Sequence, residues 1–240
     1  MARASPVGDA GLQPPAGPRS GQGVPRKPRP RLKKRVEPCI RIGSWNVGSM
    51  TGKGRELVEV MMRRKIEVLC VQETRWKGNS ARELGEGYKI YYSGENEGRN
   101  GVLIILQPEL KSNVVDVTRA GDRIMRIRLL VGKRVMSVIS AYVPQSGRST
   151  ADKDSFYETF EQMVLDCPQQ EVLVIGADMN GHVGASREGY GDIHGGKGLG
   201  ERNEEGERLL ETCERLNLAV TNTFFTKRRE HLITYRSGEH

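Results

Sequence analysis

From about Cys39 onward, apolar and polar residues fall into short runs whose period switches between that of a strand and that of a helix. CIRIGSWNV (39–47) has the composition of a strand. Gly52–Gly54 then lead into a helix that sets Leu57, Val60 and Met61 on one face. EVLCVQE (67–73) is an apolar strand ending in an acid. YKIYYSG (88–94), GVLIIL (101–106), SNVVDVT (112–118) and RIMRIRLLV (123–131) follow as consecutive strands with turn residues between them. RVMSVISAYVP (134–144) is another strand, halted by Pro144, and a helix over 151–167 places Phe156, Phe160, Met163 and Cys167 at helical spacing. VLVIGADMNG (172–181) opens with four apolar residues, the signature of a strand buried on both faces. It then runs into Gly176, Ala177, Asp178 and Asn180. A carboxylate there, with the bulk around it trimmed away, needs a partner, a cation or a reaction.

Two stretches share one outline. In the first, a strand ends near Asn46, a helix follows, and an apolar strand ends at Glu73. In the second, a strand ends near Tyr142, a helix follows, and an apolar strand ends at Asp178 and Asn180. A strand–helix–strand unit makes its two strands parallel, because the crossover returns the chain to its starting edge. If the two units pack sheet against sheet, Asn46, Glu73, Tyr142, Asp178 and Asn180 gather at one rim. Ligand sites in α/β folds favour such carboxyl ends of strands.

Charge changes the picture once it is located. The 240 residues carry a net charge of +8, and all of the excess lies in residues 1–36, which hold nine Lys and Arg against the single acid Asp9. The same stretch holds seven of the eleven prolines. Such a segment cannot bury enough apolar surface to fold alone. The expected organisation is a disordered basic leader over 1–37 and one folded body over 38–240. Arg26, Lys27, Arg29, Arg31, Lys33, Lys34 and Arg35 form a run that reads as a nuclear-import or nucleic-acid-binding patch, and equally as a solubilising tail. Nothing at the N-terminus resembles a secretory apolar region, and no apolar run approaches membrane-spanning length. The four cysteines form no CxxC pair, so a reduced, intracellular protein is the expectation.

The rim itself would be a hard-oxygen environment: two carboxylates and two amides, with no thiolate and no local histidine cluster. That suits Mg²⁺, or Mn²⁺, far better than zinc. Glu73 is the natural ligand, with Asn46 as neutral support. Asp178, helped by Asn180, can hold and deprotonate an attacking water, and Tyr142 can donate to a phosphoryl oxygen. Each has a plainer reading beside it. Glu73 fits a helix cap or a surface acid, Asp178–Gly181 fits a turn, and Tyr142 fits a core aromatic. Trp45 and Trp76 read as packing residues.

Four ordered motifs, WNV (45–47), CVQET (70–74), AYVP (141–144) and GADMN (176–180), resemble the endonuclease/exonuclease/phosphatase superfamily. GSWNVGSMTGKGRELVEVM, VQETRWKG, GLGERNEEGERLLE and ITYRS are similar, more closely, to the endonuclease domain of RTE-type non-long-terminal-repeat retrotransposons, a kind of domain that craniofacial development protein 2-like proteins carry. The likeness spans roughly 39–240. It implies a four-layered α/β sandwich of the deoxyribonuclease I type, Mg²⁺, and hydrolysis of DNA phosphodiesters by nicking. Position by position, it implies that Asn46 and Glu73 match the metal site, Tyr142 the phosphate-contacting tyrosine, and Asp178 with Asn180 the water-activating pair. Arg75 falls where some relatives have a lysine near the metal ligand, and Asn203 falls in a segment resembling a substrate-facing loop. The family continues past ITYRS with an aspartate strand and an Asp-His pair, whereas this chain stops at His240, without that context. The expectation is a monomeric nuclear protein that lacks the last strands and is impaired as a nuclease. The alternative is a non-catalytic descendant that acts as a nucleic-acid or chromatin-interaction module. His182, His194 and His231 read as ordinary surface histidines.

Overall fold

A computed structural model describes residues 39–95, 98–228 and 230. The basic run from Arg26 to Arg35, the ITYRS segment, His231 and His240 lie outside the described residues.

In chain order the elements are β1 (Ile42–Asn46), α1 (Gly54–Arg64), β2 (Val68–Gln72), β3 (Gly78–Glu83), β4 (Lys89–Gly94), β5 (Val102–Leu106), β6 (Val114–Ala120), β7 (Ile124–Val131), β8 (Arg134–Tyr142), α2 (Thr150–Leu165), β9 (Val172–Asp178) and α3 (Glu204–Arg215). They build a five-stranded sheet in the order β1-β2-β5-β4-β3 and a four-stranded sheet in the order β6-β7-β8-β9. Both expected crossovers form: β1 runs parallel to β2 and β8 parallel to β9, while the other neighbours are antiparallel.

Alternation along the strands divides the core into layers. Val68 and Cys70 of β2 and Val102, Ile104 and Leu106 of β5 meet Met125, Ile127 and Leu129 of β7 and Val138 of β8 between the sheets. The intervening Leu69, Val71, Leu103 and Ile105 point the other way, onto Leu57, Val58 and Met61 of α1. Ile139 and Ala141 turn outward onto Phe156, Phe160 and Met163 of α2. Strands whose successive residues point to opposite faces thus have both faces covered, giving helix, sheet, sheet, helix. The helices are delimited as their ends require. Lys65 takes a left-handed conformation (φ 55°) after α1. The Ser149 hydroxyl accepts from Asp152 N at 3.1 Å before α2.

Three expectations need correction. The strand opening at Val172 is not buried on both faces. Among the described residues β9 is an edge strand, its Val172 is 41% exposed, and only Gly176 along it is buried. The trimmed bulk after Ile175 has a packing cause: a Cβ added at Gly176 would lie 2.6 Å from Cys70 Cβ and 2.8 Å from its Sγ, across the gap between the sheets. Trp45, read as a packing residue, is exposed, whereas Trp76 packs edge-on against Tyr92 with the Arg82 guanidinium 3.9 Å above its ring.

Candidate active site

The parallel registers decide which groups meet. Asn46 pairs with Gln72 and Tyr142 with Asp178, so the ends of both parallel pairs lie level. Where the sheets close on each other, Gln72 donates from Nε2 to Gly176 O at 3.0 Å and to Ser140 Oγ at 3.3 Å. A buried amide with its donors satisfied from the opposite sheet fixes the spacing just beneath the rim.

On that base the Asp178 carboxylate is held from two sides. Asn46 Nδ2 donates to Oδ2 at 2.7 Å and the Asn180 backbone N–H donates to Oδ1 at 3.0 Å. Asn46 is itself oriented by Gly48 N, which donates to its Oδ1 at 2.9 Å. Asn180 stands in the left-handed region (φ 46°), and its Nδ2 donates to Val143 O at 3.0 Å. Across the rim, Glu73 and Arg75 are both left-handed (φ 57° and 58°), and Arg75 Nη2 lies 2.8 Å from Glu73 Oε1. Three non-glycine residues in this costly conformation within one rim mark a locally strained site.

Tyr142 is 2% exposed, yet its hydroxyl meets Gln145 Nε2 at 3.2 Å. Burial holds the phenol above its ordinary pKa, and the charges of Glu73 and Asp178 push the same way, so both carboxylates are within electrostatic reach of one hydroxyl. Arg123 was not singled out from the sequence. It donates to Tyr142 O at 3.1 Å and to Asn100 Oδ1 at 2.8 Å, both neutral oxygens, and burial lowers its pKa. Together with Glu73, Arg75, Arg99, Asn100, Gln145 and Arg148, Tyr142 and Arg123 line a cavity of about 140 Å³. Arg99, Asn100, Arg123 and Arg148 also line an adjoining cleft of about 380 Å³. Only tertiary register could have revealed these cations, since they come from three separate turns.

Among the described residues, no three of His, Cys, Asp and Glu gather. The donors available at the rim are the Glu73 carboxylate and the Asn46 amide, both hard oxygens. Such a set fits a divalent cation that keeps most of its waters and draws further oxygens from a phosphate.

Two expectations change here. Asn203 does not line the cavity: its Oδ1 accepts from Gly206 N and from His182 N, both at 2.9 Å, so it caps α3 and ties that helix to the loop after Asn180. His194 is not a surface histidine. It is fully buried, with Nε2 3.1 Å from Gly184 O and Nδ1 accepting from Gly196 N at 3.1 Å. His182 is exposed, as expected.

Residues 43–210 match the model of the Endonuclease/Exonuclease/phosphatase family. Craniofacial development protein 2 of Bos taurus is 34% identical over 200 residues, which cover 82% of this chain and 33% of the relative. The chain therefore spans about a third of the length of the craniofacial development protein 2 sequences it matches. Two solved structures share the fold. The endonuclease domain of TRAS1, a telomere-specific non-LTR retrotransposon, has a TM-score of 0.50 at 16% identity, covering 74% of this chain and 71% of that one. An AP endonuclease from Archaeoglobus fulgidus has a TM-score of 0.52 at 23% identity over the same shares. At these identities, the likeness speaks for the α/β sandwich alone.

Proposed function

This chain belongs to the endonuclease/exonuclease/phosphatase family, and from that premise we propose that its rim hydrolyses phosphodiesters, acting as a DNA endonuclease that nicks in the presence of Mg²⁺. The observation that carries the reading is the two-sided hold on Asp178. A carboxylate fixed by the Asn46 amide and the Asn180 N–H keeps a lone pair aimed outward, and can take the proton of an attacking water. The raised pKa of Tyr142 keeps its hydroxyl protonated at neutral pH, so that it can donate to a non-bridging phosphoryl oxygen. Arg123 offers the same phosphate a half-buried cation whose hydrogen-bond partners, Tyr142 O and Asn100 Oδ1, are neutral. Glu73 and Asn46 would hold the divalent ion, which when bound neutralises charge on the phosphoryl and leaving oxygens. On this reading the leaving oxygen takes its proton from water.

DNA contact by Arg26, Lys27, Arg29, Arg31, Lys33, Lys34 and Arg35, nuclear residence and a monomeric state belong to the same proposal. The first two rest on the composition of residues 1–36.

The test is nicking of supercoiled DNA with Mg²⁺ and with chelator. Asp178→Asn should lower the rate by about 10²–10⁴-fold, the contribution of a positioned base. Glu73→Gln should instead raise the Mg²⁺ concentration needed for half-maximal rate. Nicking that survives both substitutions would remove the assignment. DNA binding with no metal-dependent nicking would favour the non-catalytic interaction module.

A further inference from the structure

The segment carrying Asp178 does not end at Asn180; it continues into a backbone-to-backbone contact with the start of α3. Asn203 N donates to His182 O at 3.0 Å, and Asn203 Oδ1 accepts from His182 N at 2.9 Å, so one residue grips both polar groups of His182. The contact leaves no room for side chains. A Cβ at Gly181 would lie 2.9 Å from the Glu205 carbonyl, and one at Gly206 only 1.9 Å from His182 O. Lys153 of α2 pairs with Glu205, and Arg208 of α3 lies 2.7 Å from Asp154 of α2, so the helix supplying the grip is anchored to the layer behind the second sheet.

We propose that Asn203 is a positioning residue for the Asp178 carboxylate, acting through His182, Gly181 and the left-handed Asn180. The proposal rests on the reading of Asp178 as the water-activating base. A non-glycine residue at φ 46° returns to the right-handed side unless its neighbours forbid it. On one side Asn180 is held by Val143 O; on the other the chain is held only two residues later, by Asn203. If the second hold is released, the 180–182 backbone relaxes. The Asn180 N–H that orients Asp178 Oδ1 then moves with it. Asn203 touches neither substrate nor metal in this role.

Three substitutions in the full 240-residue chain separate positioning from its rivals. Asn203→Ala removes both acceptor functions. Asn203→Asp retains an oxygen for both and adds a negative charge. Asn203→Ser caps a helix as well as Asn does, but its oxygen is one bond nearer the backbone and reaches Gly206 N without also holding His182 N. In a nicking assay below each variant's melting temperature, Ala and Ser should lower kcat by about 10- to 100-fold, the scale of a 1 Å misplacement, with KM for DNA within twofold. Asp should restore kcat to within about threefold of the parent. Hydrogen exchange of the 178–182 peptide should quicken in the Ala and Ser variants and match the parent in the Asp variant. Parental kcat and exchange in Asn203→Ser would overturn the proposal. So would a raised KM in Asn203→Asp, which would place the side chain against DNA. Should Asn203→Ala not fold, Ser and Asp still decide between the outcomes. If the parent never nicks but the exchange pattern appears, the positioning stands and the nuclease reading falls.

Discussion

Both ring nitrogens of His194 are committed to backbone groups, which fixes the neutral tautomer with its proton on Nε2. Nδ1 must accept from Gly196 N–H, so Nε2 is left to donate to Gly184 O. Adding a proton would place two donors face to face in a buried site. Burial, with a smaller push from the Arg202 charge, accordingly lowers the pKa from its ordinary 6.5. The sign of the linkage follows. Above about pH 6.5 neither the folded nor the unfolded form carries the proton, and His194 contributes no pH dependence. Below it the unfolded chain binds a proton that the folded chain refuses, so stability falls with pH until the folded value is reached. We expect the denaturant midpoint of the parent to fall further between pH 7 and pH 5 than that of His194→Gln, whose amide can still donate to Gly184 O. Equal losses in the two proteins would refute the assignment. This environment was not legible from GDIHGGKG, where glycines on both sides suggest an open loop. The glycines instead let two backbone segments close over the ring. Asp178 and Asn180 were legible because a charge at the end of an apolar strand is anomalous in sequence. Arg123 and Gln72 were not, since an arginine after a turn and a glutamine in a strand are unremarkable until the opposite sheet arrives.

Elements whose apolar period matched their burial were recognisable, and the two that were missed show why. β3 is GNSARE, a polar edge strand, half-buried at Gly78 and exposed over the other five residues, and nothing in it alternates. It is held by pairing with β4 and by Asn79 Oδ1, which accepts from Ser93 Oγ at 2.8 Å. α3 buries Leu210 and Cys213 with Leu209 packed beside them, a stripe at helical spacing that GERLLETCERL carries amid its Glu and Arg residues and that went unread. For β9 the composition misled. Four apolar residues in a row indicate burial on both faces, but this strand borders only β8, and its far edge is open among the described residues. What fixes β9 is Gly176, seated against Cys70 of the facing sheet. Gly176→Ala should therefore cost about 1–3 kcal/mol of stability, the range for overpacking a filled core. It should also slow nicking, because the sheets must part at the rim. Chemical denaturation reads the first effect and the supercoiled-DNA assay the second. An unchanged midpoint would mean that the sheets separate without penalty.

Across the whole molecule, the parallel crossovers account for the convergence of Asn46, Glu73, Tyr142 and Asp178, and this much followed from the order of elements. The basic excess is a separate matter. Nine cations against one acid in residues 1–36 can neutralise phosphates, a contribution that carries no sequence information. Removing 1–36 should weaken duplex binding and flatten its salt dependence, leaving any sequence preference intact. Equal salt slopes with and without the segment, measured by fluorescence anisotropy, would show that it stays off the DNA.

The hydrogen bond from Asn46 to Asp178 joins positions 132 residues apart. A contact of that span forms late, after the loop between its ends has been organised, and during synthesis it cannot form until the second half has been made. At about 5–20 residues per second, the ribosome therefore spends many seconds on a chain that already carries Asn46 and Glu73 but not yet the Asp178 carboxylate that Asn46 will hold. The rim comes into being only as the two sheets close, so on the proposed reading the nascent and the partly unfolded chain would be equally harmless to the polyanions around them.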